Sequence, residues 1–399
     1  MASAPRLAFI TPRFSEQATI GGAETLIRQL ALRAARAGCD VSVLTTCATD
    51  HFTWANARPP GRQVIDGLDV HFFPVDEDRD LETFLRVQNA ISNQGVFTAD
   101  EEVLWMQNNV NSQALYQHLR ANGEAYDRIM AGPYLFGLIY YACQIHPHKT
   151  WLIPCLHDEP FAWLSIMRTL FDSVAGFLFN TEPEQALAQR LFDVTPGRGA
   201  VVGMGLEPFE ADADAFARRT GLNRPYVLYS GRREPLKGTP LLIDYMQAFR
   251  ARTGEDVALV FTGSGPIDAP ADLQPHIMDC GFVSEQEKHE AMAGALAFIH
   301  PSVNESLGIV LLEAWLARTA ALVHARGEVL RWQCRQSQGG LWFRHYMDFE
   351  ELLLRYLKEP ELVHTLGAAG RKYVESQYAW PAVEKRLFTA LNVQPPGSG

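Results

Sequence analysis

The chain has 399 residues, of which 47% are hydrophobic and 20% are charged, and its formal net charge is −11. This composition is typical of a globular protein with two domains, because single cores stop growing at about 250–300 residues. The acidic balance argues against nucleic-acid binding, which needs an excess of Lys and Arg to neutralise phosphates. Small anionic ligands are still allowed, since a local site can be positive.

The cysteines and the N-terminal sequence favour the cytoplasm. None of the six cysteines belongs to a Cys-x-x-Cys pair, the common spacing of zinc and redox sites. The opening MASAPRLAFI leads directly into a strand-like run, without the charged start and apolar core of a secretory leader. No run of the sequence approaches the ~18 apolar residues of a membrane-spanning helix.

Short runs rich in Val, Ile, Leu and Phe alternate with helical patterns along the chain, which is the signature of parallel α/β folds. In the first half the predicted strands are residues 7–10, 41–44, 70–73, 151–156 and 176–179. In the second half they are residues 226–229, 257–261, 296–299 and 320–323. Helices are predicted over residues 24–37 and 307–317 and from about Thr239, at the spacing of amphipathic or buried helices.

Two segments interrupt this alternation. Residues 195–225 are rich in Gly and Pro and are predicted to be the linker between two doubly wound halves. Residues 48–125 are the least regular part, and we expect an insertion there that faces a ligand cleft or the solvent.

Open parallel sheets bind ligands beyond the carboxyl ends of their strands, so residues that follow predicted strands are candidate site residues. After the first strand, Gly21 and Gly22 precede a helix that is predicted to begin near Ala23. Paired glycines let backbone N–H groups approach an anion, and a helix N-terminus favours negative charge. A plain turn that needs glycine for positive φ explains the pair equally well. The chain contains no Gly-x-Gly-x-x-Gly, which weakens a nicotinamide dinucleotide site.

The sequence YVLYSGRREPLKG places two cations after the first strand of the second half. Arg232 and Lys237 follow Gly231 and precede the helix near Thr239. A planar guanidinium and a point-charge ammonium in this position suit a diphosphate. The competing interpretation is a set of solvated loop charges that pair with Glu234.

The sequence HPSVNESLGIVLLEAW sets two glutamates eight positions apart around a helix start. Gly308 lies where the helix begins, so the N–H groups of Gly308, Ile309 and Val310 are donors available to an anion. Glu305 then lies in the loop before the helix, and Glu313 lies inside an otherwise apolar helix, where a carboxylate needs hydrogen-bond partners such as a ribose diol. Alternatively, Glu305 serves only the helix dipole and Glu313 is an exposed helix residue.

A histidine also ends the run WLIPCLHDEP. His157 at the carboxyl end of a strand can donate a hydrogen bond to a sugar hydroxyl or stabilise a leaving group. A structural histidine is the competing interpretation.

Together these motifs resemble the GT-B glycosyltransferases, and within them the large retaining family GT4, or glycosyl transferases group 1. The resemblance rests on Gly231-Arg232 with Lys237, on Glu305 with Glu313, and on the stretches FTGSGP, GFVSEQEK and YVESQYAWPAVEKRL. It covers most of the chain. Two departures stand out: Arg233 replaces a more usual hydrophobic residue, as an extra phosphate contact or an exposed side chain, and HARGEVLRWQC replaces a glycine-rich turn, so Glu328 is given no role.

The resemblance implies an α/β fold of two doubly wound Rossmann-like domains that face each other across a cleft. Residues 1–205 would bind the acceptor, residues 206–375 would bind the nucleotide-sugar donor, and residues 376–399 would form a helix that crosses back to the first domain, with a flexible tail.

The same resemblance implies roles for the site residues. Arg232 and Lys237 would bind the donor diphosphate, Glu305 the transferred sugar and Glu313 the ribose, while His157 would lie near the reacting sugar. The implied catalytic residues are His157, Glu305, Arg232 and Lys237. The implied donor-binding residues are Gly21, Gly22, Arg232, Lys237, Gly263, Phe282, Val283, Glu305, Ser306, Leu307, Gly308, Ile309, Val310 and Glu313.

The implied reaction is transfer of a hexose, with retention, from a UDP-, GDP- or dTDP-sugar to a glycan, a glycolipid or another hydroxyl acceptor in bacterial surface polysaccharide or glycoconjugate synthesis. No nucleic acid partner is expected. We expect no cofactor and no metal, because the Asp-rich patterns at residues 76–80 and 212–214 lie in irregular segments and are interpreted as solvated charges. The expected location is the cytoplasm, with peripheral association with the inner face of the membrane left open. The alternatives are an epimerase or phosphorylase of the same fold, and a non-catalytic sugar-nucleotide-binding or partner-binding protein.

Overall fold

The computed structural model describes residues 4–14 and 21–395. Within these residues the strands are β1 (Arg6–Ile10), β2 (Asp40–Thr46), β3 (Gly61–Ile65), β4 (Leu68–Phe73), β5 (Arg128–Ala131), β6 (Thr150–Leu152), β7 (Gly176–Phe179), β8 (Gly199–Val201), β9 (Tyr226–Ser230), β10 (Ala258–Thr262), β11 (Ile277–Asp279), β12 (Ala297–His300), β13 (Ala321–His324) and β14 (Gly340–Phe343).

The α-helices of the same residues are α1 (Gly22–Arg36), α2 (Leu81–Ser92), α3 (Ala99–Gln107), α4 (Gln113–Asn122), α5 (Gly137–Cys143), α6 (Ser165–Ser173), α7 (Glu182–Phe192), α8 (Ala215–Thr220), α9 (Thr239–Thr253), α10 (Glu285–Ala293), α11 (Ile309–Leu316), α12 (Glu328–Ser337), α13 (Tyr346–Lys358), α14 (Pro360–Gln377) and α15 (Trp380–Leu391). None of the described helices is long and apolar enough to cross a membrane.

The chain divides into two compact units. The first consists of Met1–Met204 and Val383–Gly399, and the second of Gly205–Ala382. Each unit has its own sheet, and α15 belongs to the first unit from Val383 onward.

The sheet of the first unit has the order β3-β4-β2-β1-β5-β6-β7-β8. Seven of its strands run parallel, and only β3 is antiparallel, to its neighbour β4. The central strand β1 is buried from Leu7 to Ile10, because parallel sheets are covered on both faces, which is why such strands appear as unbroken apolar runs. The predicted helix over residues 24–37 is confirmed as α1, whose buried face includes Leu26, Ile27 and Leu30.

The sheet of the second unit has the order β11-β10-β9-β12-β13-β14 and is parallel throughout. This is the doubly wound order in which the chain starts at the centre, moves to one edge, and then returns to build the other side. The direction reverses between β9 and β12, and ligands bind beyond the carboxyl ends of the strands at such a switch point. The expectation of two doubly wound α/β halves is confirmed.

Several local predictions are wrong. The strand predicted over residues 151–156 ends at Leu152, and the helix predicted over residues 307–317 is the shorter α11. The predicted linker at residues 195–225 is not an irregular loop, because it contains β8 and α8, although the two units do divide within it, between Met204 and Gly205.

Residues 48–125 are also more than an insertion. Strands β3 and β4 extend the sheet of the first unit. Leu115 and Leu119 of α4 are fully buried in its core. The irregular composition of this stretch therefore hides elements that the fold needs.

Candidate functional site

The loops that follow β9 and β12 come into direct contact at the switch point of the second unit. Gly238 ends the loop after β9 with a φ of 73°, in the left-handed region, and a Cβ placed there would lie 2.8 Å from the carbonyl oxygen of Pro301 in the loop after β12. Only glycine fits both the conformation and the space. This close approach brings Lys237 and Glu305 together.

Lys237 and Glu305 form an ion pair in that contact. The Lys237 Nζ lies 2.7 Å from Oε1 of Glu305, and the two side chains are 28% and 17% exposed. The two sequence motifs after β9 and β12, which are 68 positions apart, thus meet in one place. The pair is partly screened from water but can still be reached by a ligand.

His300, the last residue of β12, lies behind this pair. Its Nε2 is 3.6 Å from Oε1 of Glu305, and its Nδ1 has no hydrogen-bond partner among the described residues. Burial lowers the pKa of His300 to about 4, with a further decrease caused by Lys237 and an opposing effect of Glu305. The imidazole is therefore neutral near pH 7. His300 was not predicted from the sequence, although this residue directly precedes the loop that carries Glu305.

Arg232 is half exposed at the same edge of the sheet. Its Nη1 lies 3.3 Å from Oε1 of Glu234, so the pairing that the sequence left open does form for Arg232. An exposed pair of this kind contributes little and exchanges easily for another anion. The Tyr229 hydroxyl donates a hydrogen bond to the Arg232 carbonyl oxygen at 2.7 Å and thereby fixes the backbone at this point.

Arg233 is neither of the two things predicted for it, an extra phosphate contact or an exposed side chain. It is neither exposed nor available to a phosphate, because its side chain is only 4% exposed and points into the fold. Its Nη1 and Nη2 each lie 3.1 Å from an oxygen of Asp279, while Nε donates to the Gly265 carbonyl and Nη1 donates to the Gly263 carbonyl. This fork connects the loop after β9 to the loop after β10 and to the last residue of β11.

Gly263 and Gly231 pack backbone against backbone at the same edge. A Cβ on Gly263 would lie 2.2 Å from the Gly231 carbonyl oxygen, and the φ of Gly263 is 109°. The predicted donor-binding residue Gly263 thus has a packing role in the loop that Arg233 holds.

The first turn of α11 presents backbone donors. Gly308 precedes this helix with a φ of 78°, which is typical of glycine. The N–H groups of Gly308, Ile309 and Val310 have no intrahelical partner, because the first turn of any helix leaves its donors unpaired. Of the two preceding residues, Ser306 is half-buried, whereas Leu307 is buried and its carbonyl accepts a hydrogen bond from Gln333.

Glu313 lies one turn further along α11 and is largely buried, so the interpretation as an exposed helix residue is wrong. Its side chain is 15% exposed, and Lys288 Nζ lies 3.1 Å from each of its oxygens. Burial raises the pKa of Glu313, and Lys288 opposes that shift. The sequence did not identify Lys288 as this partner, although it follows the capping residue Ser284 by four positions.

Lys288 also lies 2.8 Å from Glu285, and the ligand atoms of Glu285, His289 and Glu313 lie within 4.8 Å of one another. These three groups are the only cluster of the described residues with metal-ligand spacing. The Lys288 ammonium already supplies a positive charge between the two carboxylates. Burial also lowers the pKa of His289 to about 4.

Three apolar side chains are exposed around this edge. Leu236 follows β9, Phe282 follows β11 and Val303 follows β12, and each is exposed. Val283, beside Phe282, is half-buried. The predicted capping box of Ser284 and Glu287 at the start of α10 is confirmed.

In the first unit, His157 lies on a segment that continues beyond β6. Its Nδ1 is 3.6 Å from Oε1 of Glu159, which accepts a 2.9 Å hydrogen bond from the buried Tyr134 hydroxyl. The imidazole is one-quarter exposed. The pair of His157 and Glu159 is too long for a hydrogen bond here, and such contacts often tighten when a substrate binds.

Gly21 and Gly22 begin α1 in the first unit. The backbone of Gly21 is extended, with a φ of 169°, so the interpretation as a turn that needs positive φ is wrong. A Cβ on Gly21 would instead collide with Oε2 of Glu24, which is paired with Arg13 at 2.6 Å. Part of the glycine-containing loop, residues 15–20, lies outside the described residues.

The Asp-rich patterns have structural partners. Asp76 accepts hydrogen bonds from the Gln113 N–H, and burial raises its pKa, so it is not the freely solvated charge that we expected. Asp80 caps α2, and Asp212 accepts a hydrogen bond from the Asp214 N–H. None of them belongs to the cluster with metal-ligand spacing in the described chain.

Comparison with known proteins identifies relatives of this chain. Residues 211–373 match the model of the family described as glycosyl transferases group 1. Over 199 residues the chain is 26% identical to a GDP-mannose-dependent monoacylated alpha-(1-6)-phosphatidylinositol monomannoside mannosyltransferase of Corynebacterium glutamicum, a match that covers 46% of this chain and 52% of that protein. The chain thus spans about half the length of the curated relatives it matches.

Two solved structures share the fold over almost the whole chain. Sucrose-phosphate synthase from Thermosynechococcus elongatus aligns with a TM-score of 0.71 at 17% identity, over 97% of this chain and 98% of that one. HepE of Anabaena, solved in complex with UDP and glucose, aligns with a TM-score of 0.66 at 14% identity, over 97% and 99%. The fold is that of the GT-B glycosyltransferases.

Proposed function

We propose that the chain is a retaining glycosyltransferase of the glycosyl transferases group 1 family, whose model matches residues 211–373. It would move a hexose from a nucleotide-sugar donor to an acceptor hydroxyl. The observation that carries the proposal is the contact of Lys237 with Glu305 at the switch point of the second unit, where a ligand of this fold class binds. That contact unites a cation for a diphosphate with a carboxylate for a sugar hydroxyl.

The charges of the second unit suit a nucleoside diphosphate sugar. Arg232 is exposed enough to exchange its Glu234 partner for a phosphate oxygen, and Lys237 can do the same while it remains close to Glu305. The unpaired N–H groups at the start of α11 add donors for phosphate. We assign the ribose hydroxyls to Glu313, which lies 3.1 Å from the Lys288 ammonium. The exposed Phe282 and Leu236 offer apolar surface to a base.

The proposed chemistry breaks the bond between the anomeric carbon and the diphosphate oxygen and forms a bond from that carbon to the acceptor oxygen on the same face. The acceptor proton passes to the departing diphosphate. Catalysis then depends on positioning and on stabilisation of the leaving charge by Arg232 and Lys237. His157 acts at the transferred sugar. Because two side-chain cations meet the charge of the diphosphate, we propose that the reaction is metal-independent.

The acceptor is proposed to be a glycan or glycolipid, which the first unit would bind at the cytoplasmic face of the membrane. The mannosyltransferase of Corynebacterium glutamicum is named for a GDP-mannose donor and a lipid-linked acceptor, and HepE was solved with UDP and glucose. GDP-mannose and UDP-glucose are therefore the first donors to test.

The test is turnover of a panel of UDP-, GDP-, dTDP- and ADP-sugars, with and without EDTA, in the presence of simple sugar and cyclitol acceptors. We expect one nucleotide class to be consumed, with release of the nucleoside diphosphate at a rate that EDTA does not change. A Lys237→Ala variant is the negative control, and Lys358→Ala, which removes an exposed lysine of α13, is the matched control that should retain activity. If the purified protein consumes none of these donors, the proposal that it transfers a sugar from one of them is wrong. If consumption requires a metal, the metal-independent mechanism is wrong.

A further inference from the structure

A glutamate is buried in the first unit without a cationic partner in the described part of the chain. Glu184 lies in the first turn of α7 and is 1% exposed. Among the described residues it makes no ion pair. A carboxylate in such a position is costly unless hydrogen bonds compensate for the lost water. The hydrogen bonds that compensate for the burial of Glu184 identify the segments that its side chain holds.

Each oxygen of Glu184 accepts a hydrogen bond from a different backbone segment. Oε1 accepts from the Leu156 N–H at 2.6 Å, and Oε2 accepts from the Asn180 N–H at 2.5 Å. Leu156 lies beyond the end of β6, and Asn180 directly follows the neighbouring strand β7. One side chain therefore joins two segments at the carboxyl edge of the sheet, and Leu156 is the residue directly before His157.

The rest of the segment before His157 is fixed from the opposite side. The Ile153 N–H donates to the Ala131 carbonyl at 2.8 Å, and the Tyr134 N–H donates to the Pro154 carbonyl at 3.1 Å. Cys155 then turns the chain with a φ of 51°, a conformation that residues other than glycine rarely adopt. Beyond this turn, the bond from Leu156 to Glu184 is the anchor that fixes the direction in which the chain approaches His157.

We propose that Glu184 is a positioning residue that fixes the segment of residues 153–157 and, through it, the imidazole of His157. A carboxyl group suits this role because each of its two oxygens has a lone pair that can accept, whereas an amide of the same size presents one acceptor and one donor. Part of this role rests on the proposed function, since the position of His157 affects turnover only if the chain transfers a sugar.

The test compares Glu184→Gln with Glu182→Gln. Glu182 is exposed in the same first turn of α7, so its substitution removes an equal charge without touching the Leu156 or Asn180 N–H groups. Because burial raises the pKa of Glu184 to about 8, the measurements are made at pH 9, where the wild-type side chain is the carboxylate. The readouts are hydrogen exchange of peptides that cover residues 152–159, and kcat and donor KM.

We expect Glu184→Gln to accelerate exchange of these peptides about tenfold over the wild type, because one of the two N–H groups loses its acceptor. We expect kcat to fall about 10- to 100-fold while the donor KM changes little, since a displaced catalytic group affects chemistry more than binding. Glu182→Gln should match the wild type in both readouts. If Glu184→Gln does not fold, Glu184→Asp, which keeps the charge but reaches less far, is measured in the same way.

Unchanged exchange in Glu184→Gln would overturn the proposal, and so would faster exchange with an unchanged kcat. Failure of the proposed function has a different signature: the wild type then turns over none of the donors, and exchange alone decides whether Glu184 fixes the segment. A larger rise of donor KM than fall of kcat would also overturn the proposal, because it would assign Glu184 to donor binding.

Discussion

Two adjacent arginines should respond to substitution in opposite ways. Arg232 is half exposed and pairs with Glu234, whereas Arg233 is buried and joins its own loop to the loop after β10 and to the end of β11. We predict that Arg233→Ala destabilises the protein and that Arg232→Ala abolishes turnover at nearly unchanged stability. The two substitutions remove the same group from neighbouring positions, so each serves as the control for the other.

The magnitude for Arg233 follows from its contacts. Its bonds to the carbonyls of Gly263 and Gly265 are hydrogen bonds from a charged donor, worth about 1.5–3 kcal/mol each before they are offset by local relaxation. The pair with Asp279 is discounted to about 0–1 kcal/mol, because that carboxylate is 43% exposed. Arg233→Ala should therefore lower the free energy of unfolding by about 3–4 kcal/mol, or the melting temperature of this unit by about 6–16 °C.

Calorimetry measures both variants against the wild type, with the transition of the second unit fitted separately because two units need not unfold together. Arg232→Ala should change the free energy of unfolding by no more than about 0.5 kcal/mol and lower kcat by about 10²- to 10³-fold, as the loss of one charge-stabilising donor does. If Arg233→Ala melted with the wild type, or if Arg232→Ala were the destabilised variant, the assignment of the two side chains would be refuted.

Four further substitutions test the site and the buried glutamate. Lys237→Ala should lower kcat about 10²- to 10³-fold in steady-state assays, and retention of most activity would exclude a role at the diphosphate. Glu305→Ala should reduce kcat while calorimetric titration shows unchanged affinity for the free nucleoside diphosphate; a lost affinity would instead place Glu305 at the nucleotide. Glu313→Ala should weaken that affinity about 10- to 100-fold, and an unchanged Kd would rule out ribose binding. The pKa of Glu184 is about 8 in the folded protein against 4.5 for an ordinary glutamate, so the folded state retains a proton that the unfolded chain loses. The stability that this group contributes is therefore present at pH 4 and is lost as the pH rises to 8 and above. The free energy of unfolding of the wild type minus that of Glu184→Gln should fall across this window, and a difference that does not vary with pH would contradict the shift.

The sequence predicted the architecture because long apolar runs carry most of the signal. Strands β1, β9 and β10 are buried on both faces, and their unbroken apolar character is visible without a structure. The short strands β8 and β11 have three residues each and are only half-buried, so no periodicity distinguishes them from loop.

The sequence indicated the candidate site residues by their types and spacing. It did not indicate which residues they contact. The sequence contains both Arg232 and Arg233 in one loop, but whether a guanidinium turns outward or inward depends on Asp279 at the end of β11 and on two carbonyls of the loop after β10. Lys288 as the partner of Glu313 belongs to the same class of contact, since 25 positions separate the two residues.

Glu184 shows the same limit more strongly. The sequence NTEPEQ predicts a helix start, because Thr181 is a good capping residue and glutamate is favoured in the first turn. The burial of Glu184 and its bond to Leu156 depend on how two strands lie side by side, which the local sequence does not encode.

Binding of a nucleoside diphosphate to the second unit is the central claim, and calorimetric titration tests it most directly. UDP, GDP, dTDP and ADP are titrated into the wild type, Lys237→Ala and Lys358→Ala in the presence of EDTA. We predict saturable binding of at least one nucleotide to the wild type and to Lys358→Ala, and a loss of about tenfold or more in affinity for Lys237→Ala. Binding of none of the four, or equal binding to all three proteins, would contradict the assignment of the donor site.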